Sequence, residues 1–143
     1  MPGHIRFHFI DVPLPGLELD RVCTWLEEVA EDFLIARLDY HFCSDAHLLE
    51  MNRTHLDHDE YTDIITFDDS KHPIIRGSIY ISVDRVNENA GIHSEDPDRE
   101  LRRVIVHGLL HLMGQKDKSA EDAAMMRSRE EQSLALWTSR DSD

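Results

Sequence analysis

Cysteine is scarce in this chain: of 143 residues only Cys23 and Cys43 carry thiols, with neither a CxxC pair nor the dense, even spacing of a disulfide-stapled secreted domain. Two buried thiols in a reducing compartment are expected. Long apolar runs are missing as well. No segment approaches the ~20 uninterrupted apolar residues of a membrane span, and the opening MPGHIRFHFI holds no apolar stretch of signal-peptide length, so the sequence reads as soluble and cytoplasmic, with no membrane partner. Basic residues are few, 15 Lys+Arg against 29 Asp+Glu for a net charge of −14. That balance argues against tight, nonspecific nucleic-acid binding, because phosphate affinity comes mainly from neutralising charge, and no DNA partner is expected. The deficit is uneven. Residues 1–93 hold 18 acids against 7 Lys+Arg and residues 94–143 hold 11 against 8, so the C-terminal third repels an anion least. Finally, no GxGxxG, GxxxxGK[ST] or GxSxG occurs, which removes nucleotide cradles and serine nucleophile elbows. The acidic stretch from Asp57 lacks the glycine and glutamate of a calcium loop, having Thr62 and Asp68 in their places.

What is present reads as one α+β domain spanning residues 1–143, a small mixed sheet of about four strands packed with about five helices. IRFHFI (5–10) alternates in the two-residue period of a strand, whereas the apolar positions from Leu17 to about Ile35 follow helical spacing. LDYHFC (38–43) is a second strand, and Ser44 caps a helix through AHLLEMNRTH. IITF (64–67) and SIYISV (78–83) are short strands joined by DDSKHPIIRG as a loop, and DRVNENAGIH forms a short helix. The next helix starts at an Asp96 N-cap with Pro97 at its first position and stops at Gly114. Ser119 opens a last helix to about Trp137 whose inner face carries Ala123, Met126, Ser133, Leu134 and Trp137, Met125 and Met126 serving as packing residues. Residues 138–143 are expected to fray.

Two histidine pairs share the same four-residue spacing, His4/His8 and His107/His111. The first lies in a strand pattern, where four residues span roughly 13 Å and cannot share an ion. The second lies in HGLLHLMGQKD, on a helix that sets residues four apart on one face about 5–6 Å from each other. Every residue from Val104 to Gly114 except these two and Gly108 is apolar, so the helix is expected to be central and its imidazoles to need polar partners. A shared metal supplies one to both. Gly114 can reverse the chain and return Asp117 towards them, and two histidines with one aspartate leave a fourth tetrahedral position open, the catalytic arrangement of zinc. The spacing also matches the zinc peptidases with HExxHxxGxxH, but their glutamate, the general base, is Gly108 here.

HGLLHLMGQKD resembles the HGxLHLxGxDH signature of the YbeY family of bacterial metal-dependent endoribonucleases. MNRTHLDHDEYTDIITF is similar to that family's asparagine-led segment, with Asn52, Thr62, Asp63 and Phe67 in place, and RGSIYIS to its Gly-Asp-Ile-x-Ile-Ser strand. These blocks cover about 50–137. The resemblance implies one divalent metal ion, Zn(2+), held by His107, His111 and the residue at the third-ligand position, which is Asp117 instead of the usual histidine. It implies a single-strand-type endoribonuclease that hydrolyses RNA phosphodiester bonds in ribosomal RNA processing, at the 3′ end of 16S rRNA, and in ribosome quality control. Its partners would be ribosomal RNA, ribosomal particles and ribosome-associated proteins. The arginine that the family places on the phosphodiester is replaced by Leu56, so no catalytic side chain is assigned. Lys71, Arg76, Lys116 and Lys118 are the candidate phosphate contacts. A non-catalytic, metal-stabilised ribosome-assembly factor and, more remotely, a zinc peptidase stay open as alternatives.

Overall fold

Apolar and polar residues alternate in IRFHF to give the first strand, β1 (Ile5–Phe9), with Ile5 buried and Arg6 exposed. The computed structural model describes residues 4–12, 18–56 and 62–141, the side chains of 55, 56 and 139–141 excepted. After β1 come α1 (Leu19–Val29), β2 (Leu34–Cys43), α2 (Asp45–Leu56), β3 (Ile64–Asp68), β4 (Ile74–Ser82), α3 (Val83–Ile92), α4 (Pro97–Leu112) and α5 (Ala120–Asp141). The four strands form one mixed sheet in the order β1-β2-β4-β3, parallel except for the β3–β4 pair.

Two boundaries differ from the sequence reading for the same reason. The helix expected to reach Ile35 ends at Val29, and Ile74–Gly77, expected in a loop, are strand. Phe33, Leu34 and Ile35 fit either period over so short a run. Pairing of Leu34 with Ile74 and of Ile35 with Ile75 decides it for both segments at once, leaving Leu34 62% exposed rather than on a helix's inner face. The last helix runs to Asp141, past Trp137 and through residues expected to fray. Its buried positions are Met126, Glu130, Ser133, Leu134 and Trp137, whereas Ala123 and Met125 are exposed and do not pack. The segment 57–61, the first five residues of the acidic stretch weighed as a calcium loop, lies outside the described residues.

One face of the sheet carries the core. Leu38, Tyr40 and Phe42 of β2 and Ile75, Ile79 and Ile81 of β4 are all fully buried, beneath α4 and alongside Trp25, Leu26 and Trp137 of α1 and α5. The polar atoms of large core residues are satisfied by helix carbonyls: Tyr40 Oη donates to Ile105 O at 2.8 Å and Trp25 Nε1 to Ser133 O at 2.7 Å. On the other face α2 covers Ile65, Phe67 and Tyr80 through Leu48 and Met51. Cys23 and Cys43 are both buried and free, and burial pushes the Cys43 thiol up to about 12. No helix among the described residues is long and apolar enough to cross a membrane.

Candidate metal centre

Helix α4 begins as its sequence dictates. Asp96 accepts a hydrogen bond from the backbone N–H of Arg99, Pro97 takes the first helical position, and Asp98 and Glu100 lie in the positive first turn. From there Leu101, Ile105, Gly108, Leu109 and Leu112 turn to the core, which leaves Glu100, Arg103, Val104, His107 and His111 along a cleft. Spacings of three and four residues make this a single stripe. The cleft measures about 750 Å³ and is closed opposite α4 by Thr62, Asp63, Ile64, Thr66 and Asp68 of the β3 strand and its approach, and at its sides by Asp117, Lys118, Arg127 and Glu130.

Beyond Leu112 the chain reverses. Gly114 adopts φ 103°, its N–H bonds to His111 O and the Gln115 N–H to Leu110 O, the two bonds of a Schellman closure that a glycine at this position permits. His72 from the β3–β4 hairpin binds Leu112 O at 2.7 Å and braces the turn. The return brings Asp117 over the histidines before Ser119 Oγ accepts the Asp122 N–H to start α5. His107, His111 and Asp117, read from the sequence as one group, are thus brought together.

Their geometry is one that could hold a cation. The facing Nε2 atoms of His107 and His111 are 3.0 Å apart, and Asp117 Oδ2 is 3.4 Å from the first and 3.3 Å from the second. Ligands at the ~2.0–2.1 Å of zinc–nitrogen bonds in a tetrahedron stand about 3.3 Å apart, so this triangle is one face of such a polyhedron. Two imidazole lone pairs and a carboxylate oxygen crowded together repel one another unless a proton or a cation lies among them. A divalent ion therefore fits the residues present. Charge agrees: the cleft is lined by five carboxylates (Asp63, Asp68, Glu100, Asp117, Glu130) against three fixed cations (Arg103, Lys118, Arg127), a deficit of two. The imidazoles are partly exposed, 21% for the His107 side chain and 28% for His111, so the open side of the triangle meets the cleft.

Around the triangle stand groups that sequence reading missed. Glu130 Oε2 is 2.6 Å from Nδ1 of His107, and its Oε1 accepts from Arg103 Nη1 at 3.2 Å. Arg103 is paired in addition with Glu100 and Glu131. Burial works against the charged His107 imidazolium, but the hydrogen bond and charge of Glu130, with Asp117 and Asp63, outweigh it and hold its pKa above the ordinary value. Burial raises the Asp63 carboxyl more than His107 lowers it. One signal for Glu130 lay in the sequence: it falls four residues after Met126 and four before Leu134, on the stripe where α5 is otherwise apolar or small.

Of the four phosphate contacts expected from the sequence, Lys118 lines the cleft and Lys116 lies in an adjoining pocket with His111 and Asp117. Lys71 and Arg76 belong to the β3–β4 hairpin and are not among the lining residues. Arg127, absent from that set, lines the cleft from α5. Leu56 ends α2, its side chain outside the described residues. Gly108 cannot be replaced by the peptidase glutamate, since it faces Ile79 in the sheet and not the cleft.

The chain has recognisable relatives among known proteins. The sequence model of the family described as Endoribonuclease YbeY matches residues 18–138. A protein of Cytophaga hutchinsonii named Endoribonuclease YbeY is 53% identical over 116 residues, 79% of this chain and 81% of its own. Its namesake in Porphyromonas gingivalis is 42% identical over 134 residues, covering 92% and 89%. The solution structure of TM1509 from Thermotoga maritima superposes with a TM-score of 0.66 at 24% identity, over 94% of this chain and 93% of that one, which establishes a shared fold.

Proposed function

The chain belongs to the YbeY family, and from that premise we propose that it is a zinc-dependent endoribonuclease that hydrolyses phosphodiester bonds of single-stranded RNA. The observation that carries the reading is the triangle of His107 Nε2, His111 Nε2 and Asp117 Oδ2, with edges of 3.0, 3.3 and 3.4 Å, opening on a cleft of about 750 Å³. When bound, the ion supplies Lewis acidity, polarising a phosphoryl oxygen or activating water. The chain's own residues do the rest. His107, His111 and Asp117 would hold the ion, Lys118 with Lys116 beside it binds the phosphate backbone, and Arg127 faces the same space. Lys71 and Arg76 on the hairpin reach nucleotides outside the cleft. Asp63, whose carboxyl burial pushes above the ordinary carboxylate value, lies within the same lining.

The proposal extends to ribosomal RNA as substrate, at the 3′ end of 16S rRNA and in ribosome quality control, in the cytoplasm and with ribosomal particles and their associated proteins as partners. Acidity supports dependence on partners: at −14 the chain attracts RNA weakly by itself. The test is metal analysis of the purified protein together with cleavage of a structured RNA by wild type and by His111→Ala. Expected are one zinc per chain and cleavage in the wild type, both lost in a variant that keeps its far-ultraviolet spectrum. Equal cleavage by both proteins would refute the reading. Intact metal binding without cleavage would favour the assembly-factor alternative.

A further inference from the structure

Each ring nitrogen of His107 points at a different partner. Nε2 faces His111 and Asp117, while Nδ1 faces Glu130 Oε2 at 2.6 Å, on a helix that begins only after the Gly114 reversal. Glu130 is buried to 7% side-chain exposure and its second oxygen accepts from Arg103. A carboxylate at that place does two things to the ring. It accepts the Nδ1 proton, so that the lone pair sits on Nε2 where the metal would be, and it fixes the ring plane against rotation about χ2. His111 has no such anchor among the described residues; its contacts with His107 and Asp117 both run from Nε2. Of the two imidazoles, then, one is held from behind and the other is held by the helix alone.

We propose that Glu130 is the positioning residue of the metal centre, orienting His107 through Nδ1 and thereby making ion affinity depend on the docking of α5 against α4. The inference rests on the reading that His107, His111 and Asp117 hold a metal. Its rival is purely structural: a carboxylate placed at 130 to neutralise Arg103, which sits on the same side of α4 and binds it at 3.2 Å. The two diverge when both charges are removed together. A buried ion pair replaced as a unit by apolar residues of similar size often leaves stability unchanged or improved, so Arg103→Met/Glu130→Met keeps the fold in a form that has lost the acceptor for His107.

The experiment measures zinc affinity by chelator competition for wild type, His111→Ala, Glu130→Gln, Glu130→Ala and the double variant, with the melting temperature of each. It also records the ¹⁵N-edited NMR signals of the His107 ring. Tight zinc binding by wild type that His111→Ala abolishes verifies the site itself; failure there brings down both the site and this inference. Given that, Glu130→Ala and the double variant are expected to bind zinc about 10–100-fold more weakly. Glu130→Gln, whose amide oxygen can still accept from Nδ1, recovers at least part of the loss. In wild type the His107 Nδ1 proton exchanges slowly and its signal persists, and it disappears in Glu130→Ala. Wild-type affinity in the folded double variant would overturn the proposal and leave Glu130 as a partner of Arg103 only. So would an Nδ1 signal that survives Glu130→Ala.

Discussion

Gly108 of α4 lies directly on Ile79 of β4: a Cβ added to the glycine would stand 2.7 Å from Ile79 Cδ1 and 3.0 Å from its Cγ2, with Ile64 Cδ1 at 3.2 Å. The residue after the first metal-ligand candidate therefore serves as the contact through which the helix reaches the sheet. Ile79 is fully buried. Alanine in mid-helix gains up to ~1 kcal/mol over glycine, whereas overpacking of a tight core costs ~1–3 kcal/mol. Gly108→Ala is expected to be destabilised by about 1 kcal/mol net, lowering the melting temperature by roughly 2–4 °C. Gly108→Glu should be far worse and yield no peptidase activity, since its side chain would be driven into the sheet. Thermal unfolding of the two variants checks the order; a Gly108→Glu protein as stable as wild type would mean that the helix stands off the sheet at this point.

The outer face of the sheet makes a second, independent expectation. His41 is stacked between His8 and Tyr80, with ring centroids 4.6 and 4.1 Å away. Burial, and then the neighbouring His8, push its pKa below the ordinary 6.5, against a smaller pull upward from Asp39. The sign comes from linkage. A histidine depressed in the folded state contributes stability above its unfolded pKa, and that contribution is lost as pH falls from about 6.5 through the folded value. Asp11, lowered chiefly by the Ser44 hydroxyl, adds a loss of the same sign but below its unfolded 3.8. His41→Phe keeps a ring in the stack and has no proton to gain. Its melting temperature should fall less than that of wild type as pH drops from 7 towards 5. Parallel curves across that interval would show that His41 is not the residue responsible.

How far the sequence alone reaches is clearest at α4. Its start at Asp96–Pro97, its stop at Gly114 and the convergence of His107, His111 and Asp117 all stem from local rules, because capping, glycine reversal and the spacing of four are properties of a single helix and its turn. The boundary between α1 and β2 does not. Leu34 and Ile35 belong to a strand only because Ile74 and Ile75 pair with them, and that pairing is distant in the chain. Glu130 is of the same kind. On α5 it is merely an acid on an inner stripe; its meaning comes from His107, which reaches it only when two helices pack. Likewise Arg127 is visible as a cleft residue only once α5 is packed against α4.

Asp117 gives a prediction about reactivity. A carboxylate in the ligand set donates a negative charge that a neutral imidazole would not, which weakens the ion's pull on electrons and shifts ionisation at the site to higher pH. Asp117→His is expected to retain zinc, and its RNA cleavage should reach half of its maximal rate at lower pH than in the parent. The measurement is a pair of pH–rate profiles under single-turnover conditions. An unchanged or higher midpoint would mean that Asp117 does not contact the ion, or that Lys116 and Lys118 on either side of it cancel its charge.

RNA binding offers the last expectation. Arg103 lines the cleft, but its guanidinium is engaged by Glu100, Glu130 and Glu131, so it has little charge left for a phosphate. Lys118 and Arg127 are exposed there and form no ion pair among the described residues. A short single-stranded oligonucleotide lying in the cleft should therefore release only a few counterions on binding, giving weak affinity and a shallow dependence of log K on log salt, about −0.7 for each phosphate neutralised. Removing either charge, as Lys118→Ala or Arg127→Ala, should flatten the slope by about 0.7, with little change in zinc affinity. Lys71→Ala and Arg76→Ala should leave the short oligonucleotide unaffected and flatten the slope only for a longer strand that extends to the hairpin. Fluorescence anisotropy titrations between low and physiological salt decide the matter. Nanomolar binding of the short strand at physiological salt, or a slope indifferent to Lys118 and Arg127, would place the RNA path elsewhere on the molecule.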